Sequence, residues 1–226
     1  MILQCRRYGL LKPLVYLAVV MLALLLLPAW PAGAAAPAGK LVLAYGDSLT
    51  AGYQLRPGEG FPAQLQAELR RQGLAAVEVR NAGVSGDTTA QGRARLSWVL
   101  QSLPEKPDLV ILALGANDML RGQPPAQAKA NLDSMLTELQ RRGIAVLLAG
   151  MLAAPNFGAD YGKEFNAIYP DLAKKHQVPL YPFFTAGVTG NPKLLLADGM
   201  HPNAEGAKRM AASLAPLVGR LLRQAP

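Results

Sequence analysis

Ser48 is the residue of this chain whose surroundings most favour a role as a nucleophile. It follows an apolar stretch of strand length, Leu41 to Tyr45, which ends abruptly at the tripeptide Gly46-Asp47-Ser48. In open α/β folds, the crevice beyond the carboxyl ends of the strands exposes loop side chains and unpaired backbone N–H groups together. A serine at the end of such a strand can therefore attack a bound substrate and form a covalent intermediate.

A serine nucleophile needs a base within hydrogen-bond reach and a carboxylate that orients the base. The chain has two histidines. His176 follows two lysines near the end of a predicted helix, where we interpret it as an exposed cation that complements the helix dipole. His201 lies three residues after Asp198, in a turn before the last predicted helix. Asp198 would hold the Nδ1 proton of this ring and Nε2 would take the hydroxyl proton of Ser48, so we predict Ser48, Asp198 and His201 as the catalytic residues.

Hydrolysis of an ester also needs hydrogen-bond donors for the oxyanion that develops on the substrate carbonyl. Gly86 lies in a loop after the second predicted strand, where a tight turn would direct its N–H outward. Asn117 follows the third predicted strand and offers a neutral amide donor. The predicted oxyanion hole consists of the N–H groups of Ser48 and Gly86 and the side chain of Asn117. The neighbouring Asp47 and Asp118 carry charge that would oppose an oxyanion, and we interpret both as acceptors that order their loops.

Segments rich in apolar and β-branched residues alternate along the chain with segments of helical period. The predicted strands are at about residues 40–45, 75–81, 107–114, 144–151 and 178–182, and the predicted helices are at 61–72, 89–103, 124–142, 164–176 and 204–222. This alternation predicts an α/β fold, a three-layer α/β/α sandwich around a five-stranded parallel sheet, because each right-handed crossover returns the chain to the same edge. We expect Pro170 to kink or divide the fourth helix and Trp98 to pack at helical spacing.

Residues 1–34 have the features of a secretory signal peptide. Three basic residues precede an apolar run from residue 14 to residue 27, and small residues around Gly33 supply a cleavage site. The run is shorter than the roughly 20 residues that span a bilayer, which favours cleavage over the alternative, an uncleaved anchor. We predict that 1–34 is removed and that 35–226 forms a single domain in the periplasm or outside the cell. Cys5, the only cysteine, would leave with the signal, so the mature chain would contain no disulfide.

The charge of the chain does not indicate a nucleic-acid partner. The 23 lysines and arginines exceed the 15 aspartates and glutamates, and without 1–34 the balance is 20 to 15, a net charge of +5. The basic residues are scattered near predicted helix ends, as on a solvated surface, although a weak contact with an anionic membrane surface is compatible with this charge. We expect a monomer that binds a small-molecule or lipid ester and no nucleic acid.

The chain lacks the motifs of several other enzyme classes. It has no His-Glu-x-x-His or paired-cysteine motif for zinc, no phosphate-binding G-x-x-x-x-G-K-[ST] and no dinucleotide-binding G-x-G-x-x-G. Thr50 stands where the G-x-S-x-G motif of the α/β-hydrolases needs its second glycine. We therefore expect the chain to need no metal and no other cofactor.

Four short motifs of this chain resemble, in order, the four sequence blocks of the SGNH or GDSL hydrolases. They are Gly46-Asp47-Ser48-Leu49, Gly86 with its loop, Gly115-Ala116-Asn117-Asp118 and Asp198-Gly199-Met200-His201-Pro202. The resemblance extends from about residue 40 to residue 202 and is greatest to the bacterial periplasmic branch that includes thioesterases, lysophospholipases and arylesterases. It implies a flavodoxin-like fold, catalysis by Ser48, Asp198 and His201, and an oxyanion hole completed by Gly86 and Asn117.

The resemblance also implies where an acyl chain binds. The stretch Leu152, Ala153, Ala154 and Pro155 matches a segment that borders the acyl groove in such enzymes, and its small, apolar side chains suit a fatty chain, although a loop that covers the core would look the same. Ala116 departs from the branch, which often has a second glycine there. Its methyl group puts the acyl preference in doubt more than the activity.

The resemblance implies a serine esterase that hydrolyses carboxylic esters or thioesters through an acyl-Ser48 intermediate, with aryl esters, acyl thioesters and lysophospholipids as substrates. Two alternatives remain open. A carbohydrate O-acetylesterase of the same superfamily would use the same groups in a polar cleft, although an aromatic content of 6% argues mildly against sugar stacking. A non-catalytic lipid-binding protein on the same scaffold is disfavoured by the complete set of chemical residues.

Overall fold

The fold is built around a parallel sheet of five strands in the order β2-β1-β3-β4-β5. The computed structural model describes residues 39–224, and the predicted signal segment 1–34 lies outside them. The strands are β1 Leu41–Gly46, β2 Glu78–Gly83, β3 Leu109–Ala113, β4 Ala145–Ala149 and β5 Leu180–Tyr181. The helices are α1 Ser48–Ala51, α2 Phe61–Arg71, α3 Thr89–Ser102, α4 Ala116–Leu120, α5 Pro125–Arg141, α6 Ala159–His176 and α7 Ala204–Gln224, and 3₁₀ turns cover Pro155–Phe157 and Pro192–Leu194.

All pairings between neighbouring strands are parallel, as Val42 illustrates by pairing with Val79 on one side and Leu109 on the other. The carboxyl ends of the strands therefore meet at one edge of the sheet, which we call the carboxyl edge. Helices cover both faces, and the predicted three-layer α/β/α architecture is confirmed.

Two apolar cores cover the two faces of the sheet. Because alternate side chains of a strand point to opposite faces, Leu43 and Tyr45 lie in the core with α3, α5 and α6, whereas Val42 and Ala44 lie in the core with α2 and α7. Every residue of β1 is buried, as expected for a central parallel strand that is covered on both faces. Residues 39–224 belong to one compact unit that contains both cores.

The two shortest helices, α1 and α4, were not predicted from the sequence. Each follows a central strand almost directly, and they carry Ser48 and Asn117 near their amino ends. Four or five residues are too few to show a helical period. Pro170 lies inside α6 without dividing it, and α6 begins earlier than the sequence indicated. None of the helices within 39–224 combines the length and apolar character needed to cross a membrane.

Two expectations about single side chains are wrong. Trp98 is 70% exposed, because at about 3.6 residues per turn it lies opposite Leu96, which is one of the residues that α3 buries. His176 is not exposed: its side chain has 7% of its area accessible, and its Nε2 lies 2.6 Å from Oδ1 of Asp133. Packing of α6 against α5 places the ring between Asp133 and Gln140. Hydrogen bonds from Lys175 and His176 lower the pKa of the Asp133 carboxyl.

Candidate active site

Ser48 is the first residue of α1, at a sharp turn out of the central strand β1. Asp47 caps this helix, since its Oδ1 accepts the N–H of Leu49 at 3.0 Å. Gly46 has no room for a side chain, because a Cβ there would collide with the Thr50 hydroxyl and with the backbone of β3. The chain can therefore turn within a few residues and present Ser48 at the carboxyl edge.

Asp47 orders this turn from a buried position. Only 1% of its area is accessible, and burial raises the pKa of its carboxyl to about 7. Backbone hydrogen bonds lower that pKa, whereas the nearby charges of Asp87 and Asp118 raise it. Asp118 is also buried, and it accepts the N–H and the hydroxyl of Thr89 at 2.8 and 2.6 Å. Both aspartates therefore act as loop-ordering acceptors, as the sequence indicated.

A continuous chain of hydrogen bonds joins the three predicted catalytic residues. His201 Nε2 lies 2.9 Å from Ser48 Oγ, and His201 Nδ1 lies 2.7 Å from Oδ2 of Asp198. The other Asp198 oxygen, Oδ1, accepts the backbone N–H groups of Met200 and His201 at 2.9 and 3.0 Å. These hydrogen bonds lower the pKa of the Asp198 carboxyl to about 2. Because the ionised carboxylate can only accept, Nδ1 carries the ring proton and Nε2 is the acceptor for the Ser48 hydroxyl.

The turn that carries Asp198 and His201 is fixed by its own backbone. Leu196 and His201 form a hydrogen bond of 2.8 Å across the turn, and Gly199 donates to Leu196 at 3.0 Å. Asn203, directly before α7, accepts the N–H of Gly206 at 3.0 Å and donates to the backbone before the turn. The imidazole is thus held between a local turn and the start of a long helix.

Tyr53 is a residue of the site to which no role was assigned from the sequence. Its ring centroid lies 4.5 Å from that of His201, with the two planes tilted by 39°. Its backbone N–H donates to the carbonyl of Ser48 at 3.2 Å. The only sequence signal was its place five residues after Ser48, which cannot show that its ring reaches the imidazole.

The two loops of the predicted oxyanion hole are tied to each other. Asn117 Nδ2 donates to the carbonyl of Asp87 at 2.9 Å, and its second amide hydrogen remains for a substrate oxygen. Gly86 has a φ of +86°, a backbone conformation that residues with a Cβ rarely adopt. It lies in a turn closed by a hydrogen bond of 3.1 Å from the N–H of Asp87 to the carbonyl of Val84. The Gly86 carbonyl accepts Nη2 of Arg121 at 2.8 Å.

Arg95 links the nucleophile loop to the oxyanion loop, and sequence reasoning missed it. Its Nε donates to Oδ2 of Asp87 at 2.6 Å, and its Nη2 donates to the carbonyl of Gly46 at 2.9 Å. The guanidinium carbon lies 4.2 Å from the ring centroid of Tyr45, in cation–π contact. One partly buried side chain therefore joins the backbone before Ser48 to the carboxylate of Asp87 in the neighbouring loop.

An apolar groove of about 470 Å³ opens at the nucleophile. Of the predicted site residues, Ser48, Asn117, His201, Leu152, Ala153, Ala154 and Pro155 line it. Asp198 and Gly86 do not line it: Asp198 lies behind His201, and Gly86 directly precedes Asp87, whose carbonyl accepts the Asn117 amide. Met119, Met151 and Phe183 contribute further apolar walls that the sequence did not indicate. Among residues 39–224, no three metal-ligating side chains lie close enough to hold an ion.

A three-layer α/β/α fold with a hydrogen-bonded serine, histidine and aspartate at the carboxyl edge defines a serine hydrolase. The chain belongs to the GDSL-like Lipase/Acylhydrolase family, which matches residues 44–209. The family resemblance inferred from the four motifs is confirmed.

Individual relatives agree with this assignment. The chain is similar to the arylesterase of Vibrio mimicus, with 40% identity over 182 residues, 80% of this chain and 90% of the relative. It is similar to thioesterase 1/protease 1/lysophospholipase L1 of Escherichia coli strain K12, with 38% identity over 187 residues, 81% of this chain and 87% of the relative. The crystal structure of AlinE4, an SGNH-hydrolase family esterase, has a TM-score of 0.70 at 48% identity and covers 80% of this chain and 96% of its own. The protein is a serine esterase.

Proposed function

We propose that Ser48, His201 and Asp198 are the catalytic triad of this esterase and that an acyl-Ser48 intermediate forms during hydrolysis. The observation that carries this proposal is the hydrogen-bond chain from Ser48 Oγ through the imidazole to the Asp198 carboxylate, with distances of 2.9 and 2.7 Å. Such a chain activates a hydroxyl by giving its proton an acceptor at the moment of attack.

The reaction would proceed in two stages. Oγ of Ser48 attacks the carbonyl carbon while Nε2 of His201 takes the hydroxyl proton, and Asp198 stabilises the imidazolium that results. The N–H groups of Ser48 and Gly86 and the amide of Asn117 bind the oxyanion, and the imidazolium then protonates the departing alcohol or thiol. A water molecule attacks the acyl-enzyme under general-base catalysis by His201, which releases the acid and restores Ser48. No cofactor takes part in this sequence.

The apolar groove is the binding site that we propose for the acyl chain. Its walls, including the segment from Leu152 to Pro155, offer few polar partners to a sugar and many contacts to a hydrocarbon. The names of the relatives, an arylesterase and a thioesterase with lysophospholipase activity, support aryl esters, acyl thioesters and lysophospholipids as substrates. Medium or long acyl chains should fill the groove better than acetate does.

We also propose that the enzyme is exported and acts as a monomer. The support for export is the sequence pattern of 1–34, a basic start, an apolar run and a small-residue cleavage site. Residues 35–226 would then be the mature enzyme, in the periplasm or outside the cell.

The decisive experiment is steady-state hydrolysis of p-nitrophenyl esters from acetate to palmitate by residues 35–226, with Ser48→Ala as the matched variant. Activity that is lost in Ser48→Ala and peaks on medium or long chains would support the proposal. Activity on acetate alone would favour a carbohydrate O-acetylesterase. Absence of Ser48-dependent turnover on every ester would indicate a lipid-binding protein instead.

A further inference from the structure

Most of the exposed large apolar side chains of residues 39–224 belong to the edge of the sheet where the groove opens. Six large apolar side chains are exposed in this part of the chain. Five belong to the carboxyl edge, and we call them the rim: Tyr53, Val84, Leu120, Leu152 and Met200. The sixth, Trp98, lies on α3, nine residues after the start of a helix that leads away from that edge.

The rim surrounds the site from several directions. Its members come from the segments after α1, β2 and β4, from the end of α4 and from the turn before α7, and each is 39–52% exposed. Three of them line the groove together with Ser48, and a fourth, Tyr53, contacts the ring of His201. Single exposed apolar side chains are normal on a soluble surface, but several around one opening mark an interaction site.

The position of the rim decides which occupant fits it. A protein or a second copy of this chain seated there would cover the mouth of the groove and separate Ser48 from its ester. A lipid surface would instead present acyl chains at the same opening, where the apolar rim continues directly into the apolar walls of the groove. We propose that the rim docks the enzyme on an anionic lipid surface, from which the acyl chain of an ester enters the groove. This inference rests on the function proposed above.

The charges of the loops that carry the rim favour an anionic lipid surface as the partner. Arg121 follows the rim residue Leu120 and is exposed, and the Gly86 carbonyl takes one of its N–H donors at 2.8 Å. A guanidinium has five such donors, so most of them are left for phosphate oxygens. The carboxylates at Asp47, Asp87 and Asp118 are buried, and the exposed carboxylate of Asp198, on the turn with Met200, is paired with His201. The net charge of +5 on 35–226 acts in the same direction.

The test is co-sedimentation of 35–226, which includes the whole compact unit, with lipid vesicles. One set contains phosphatidylcholine and phosphatidylglycerol at three to one, and the other contains phosphatidylcholine alone. Met200→Glu and Val84→Glu should each raise the lipid concentration for half-maximal binding by about tenfold, because a charge on the rim opposes its insertion. Trp98→Glu is the matched control, since it removes a larger exposed apolar side chain and adds the same charge away from the rim, and its binding should stay within about twofold. Arg121→Gln should weaken binding only to the vesicles that contain phosphatidylglycerol.

Three results would overturn the proposal. One is that the unsubstituted chain binds neither vesicle. Another is that Trp98→Glu weakens binding as much as the rim variants do, which would mean non-specific adsorption. The third is a concentration-dependent dimer that Met200→Glu abolishes, which would assign the rim to a second copy. Hydrolysis of dispersed p-nitrophenyl butyrate by the unsubstituted chain needs no surface, so its absence would report failure of the proposed function and its presence would confine a negative result to docking.

Discussion

Replacing Asn117 by alanine tests whether the oxyanion hole works as the structure suggests. The side chain lines the groove beside Ser48, and its Nδ2 donates to the carbonyl of Asp87 at 2.9 Å. That bond fixes the amide before substrate arrives, so its second hydrogen can meet the developing charge without reorganisation. Asn117→Ala removes the hydrogen bond to the Asp87 carbonyl and the one expected to the oxyanion. Loss of the first should lower stability, and loss of the second should lower kcat.

The catalytic effect should be much larger than the structural one. Loss of one prearranged oxyanion donor lowers kcat by about 10²–10³, or about 2.7–4 kcal/mol of transition-state stabilisation. KM should change by less than about threefold, because the donor binds the oxyanion more strongly than the ground-state carbonyl. The lost bond to the Asp87 carbonyl costs about 1 kcal/mol of folding stability. In a domain of this size that corresponds to a fall in Tm of about 2–4 °C.

The assay combines steady-state hydrolysis of p-nitrophenyl butyrate with thermal unfolding followed by circular dichroism. Gln140→Ala is a matched control, since it also removes an amide that donates to a backbone carbonyl, that of His176 at 2.6 Å, but far from the groove. It should lower Tm slightly and leave kcat within about twofold. A kcat for Asn117→Ala within about threefold of the unsubstituted enzyme would refute the assignment of this amide to the oxyanion hole.

Three further changes probe the other parts of the site. Asp198→Asn should lower kcat by about 10⁴, because the amide can donate to Nδ1 of His201 and favour the tautomer whose Nε2 carries the proton. A fall of less than about tenfold in steady-state kcat would contradict the role of Asp198 in orienting the imidazole. Asp47 has its pKa raised from 3.8 to about 7, so the folded state binds more protons than the unfolded state between those values and stability falls as pH rises through that window. Asp47→Asn should reduce the fall in unfolding free energy between pH 5 and pH 7. Equal falls for the variant and the unsubstituted enzyme in urea titrations would exclude the Asp47 carboxyl as the cause. Arg95→Met leaves the carboxylate of Asp87 buried and unpaired, so it should lower the free energy of unfolding in urea by about 3 kcal/mol. Arg142→Met, the control, breaks an i,i+4 ion pair at the surface and should lower it by less than about 1 kcal/mol. Similar losses in both variants would argue against a special role for Arg95.

The fold could be predicted from the sequence, and the catalytic residues that we propose could be selected from it, because each has a strong local signal. The alternation of apolar strands with helical periods determines the α/β class, and Ser48 stands where the first strand stops. Only two histidines were available as a base, and only His201 has a carboxylate three residues before it on a turn. The structure brings Ser48 and His201 together across 153 positions of the chain, as the shared carboxyl edge requires.

The parts that escaped prediction depend on contacts between distant segments. Arg95 belongs to α3, and nothing in its neighbours shows that its guanidinium passes beneath two loops to reach Gly46 and Asp87. Tyr53 contacts the ring of His201 because α1 ends in a turn that brings it there. The rim could not be predicted either, since the sequence shows that Val84 or Met200 is apolar but not that packing leaves it exposed.

The supports of the site explain why the reacting groups can be held in place by loops. Arg95 bridges Gly46 and Asp87, and the side-chain amide of Asn117 donates a hydrogen bond to the Asp87 carbonyl. The Asp118 carboxylate accepts a hydrogen bond from the first residue of α3. None of these bonds needs a substrate, so the proposed oxyanion donors are held in place before an ester arrives. Donors positioned in this way would favour the transition state over the ground state. The imidazole is held separately, by its own turn and by the start of α7, and meets the nucleophile through a single hydrogen bond. The nucleophile loop and the loops of the proposed oxyanion hole are therefore joined by hydrogen bonds, whereas the position of His201, the proposed base, depends on how α7 packs against the sheet.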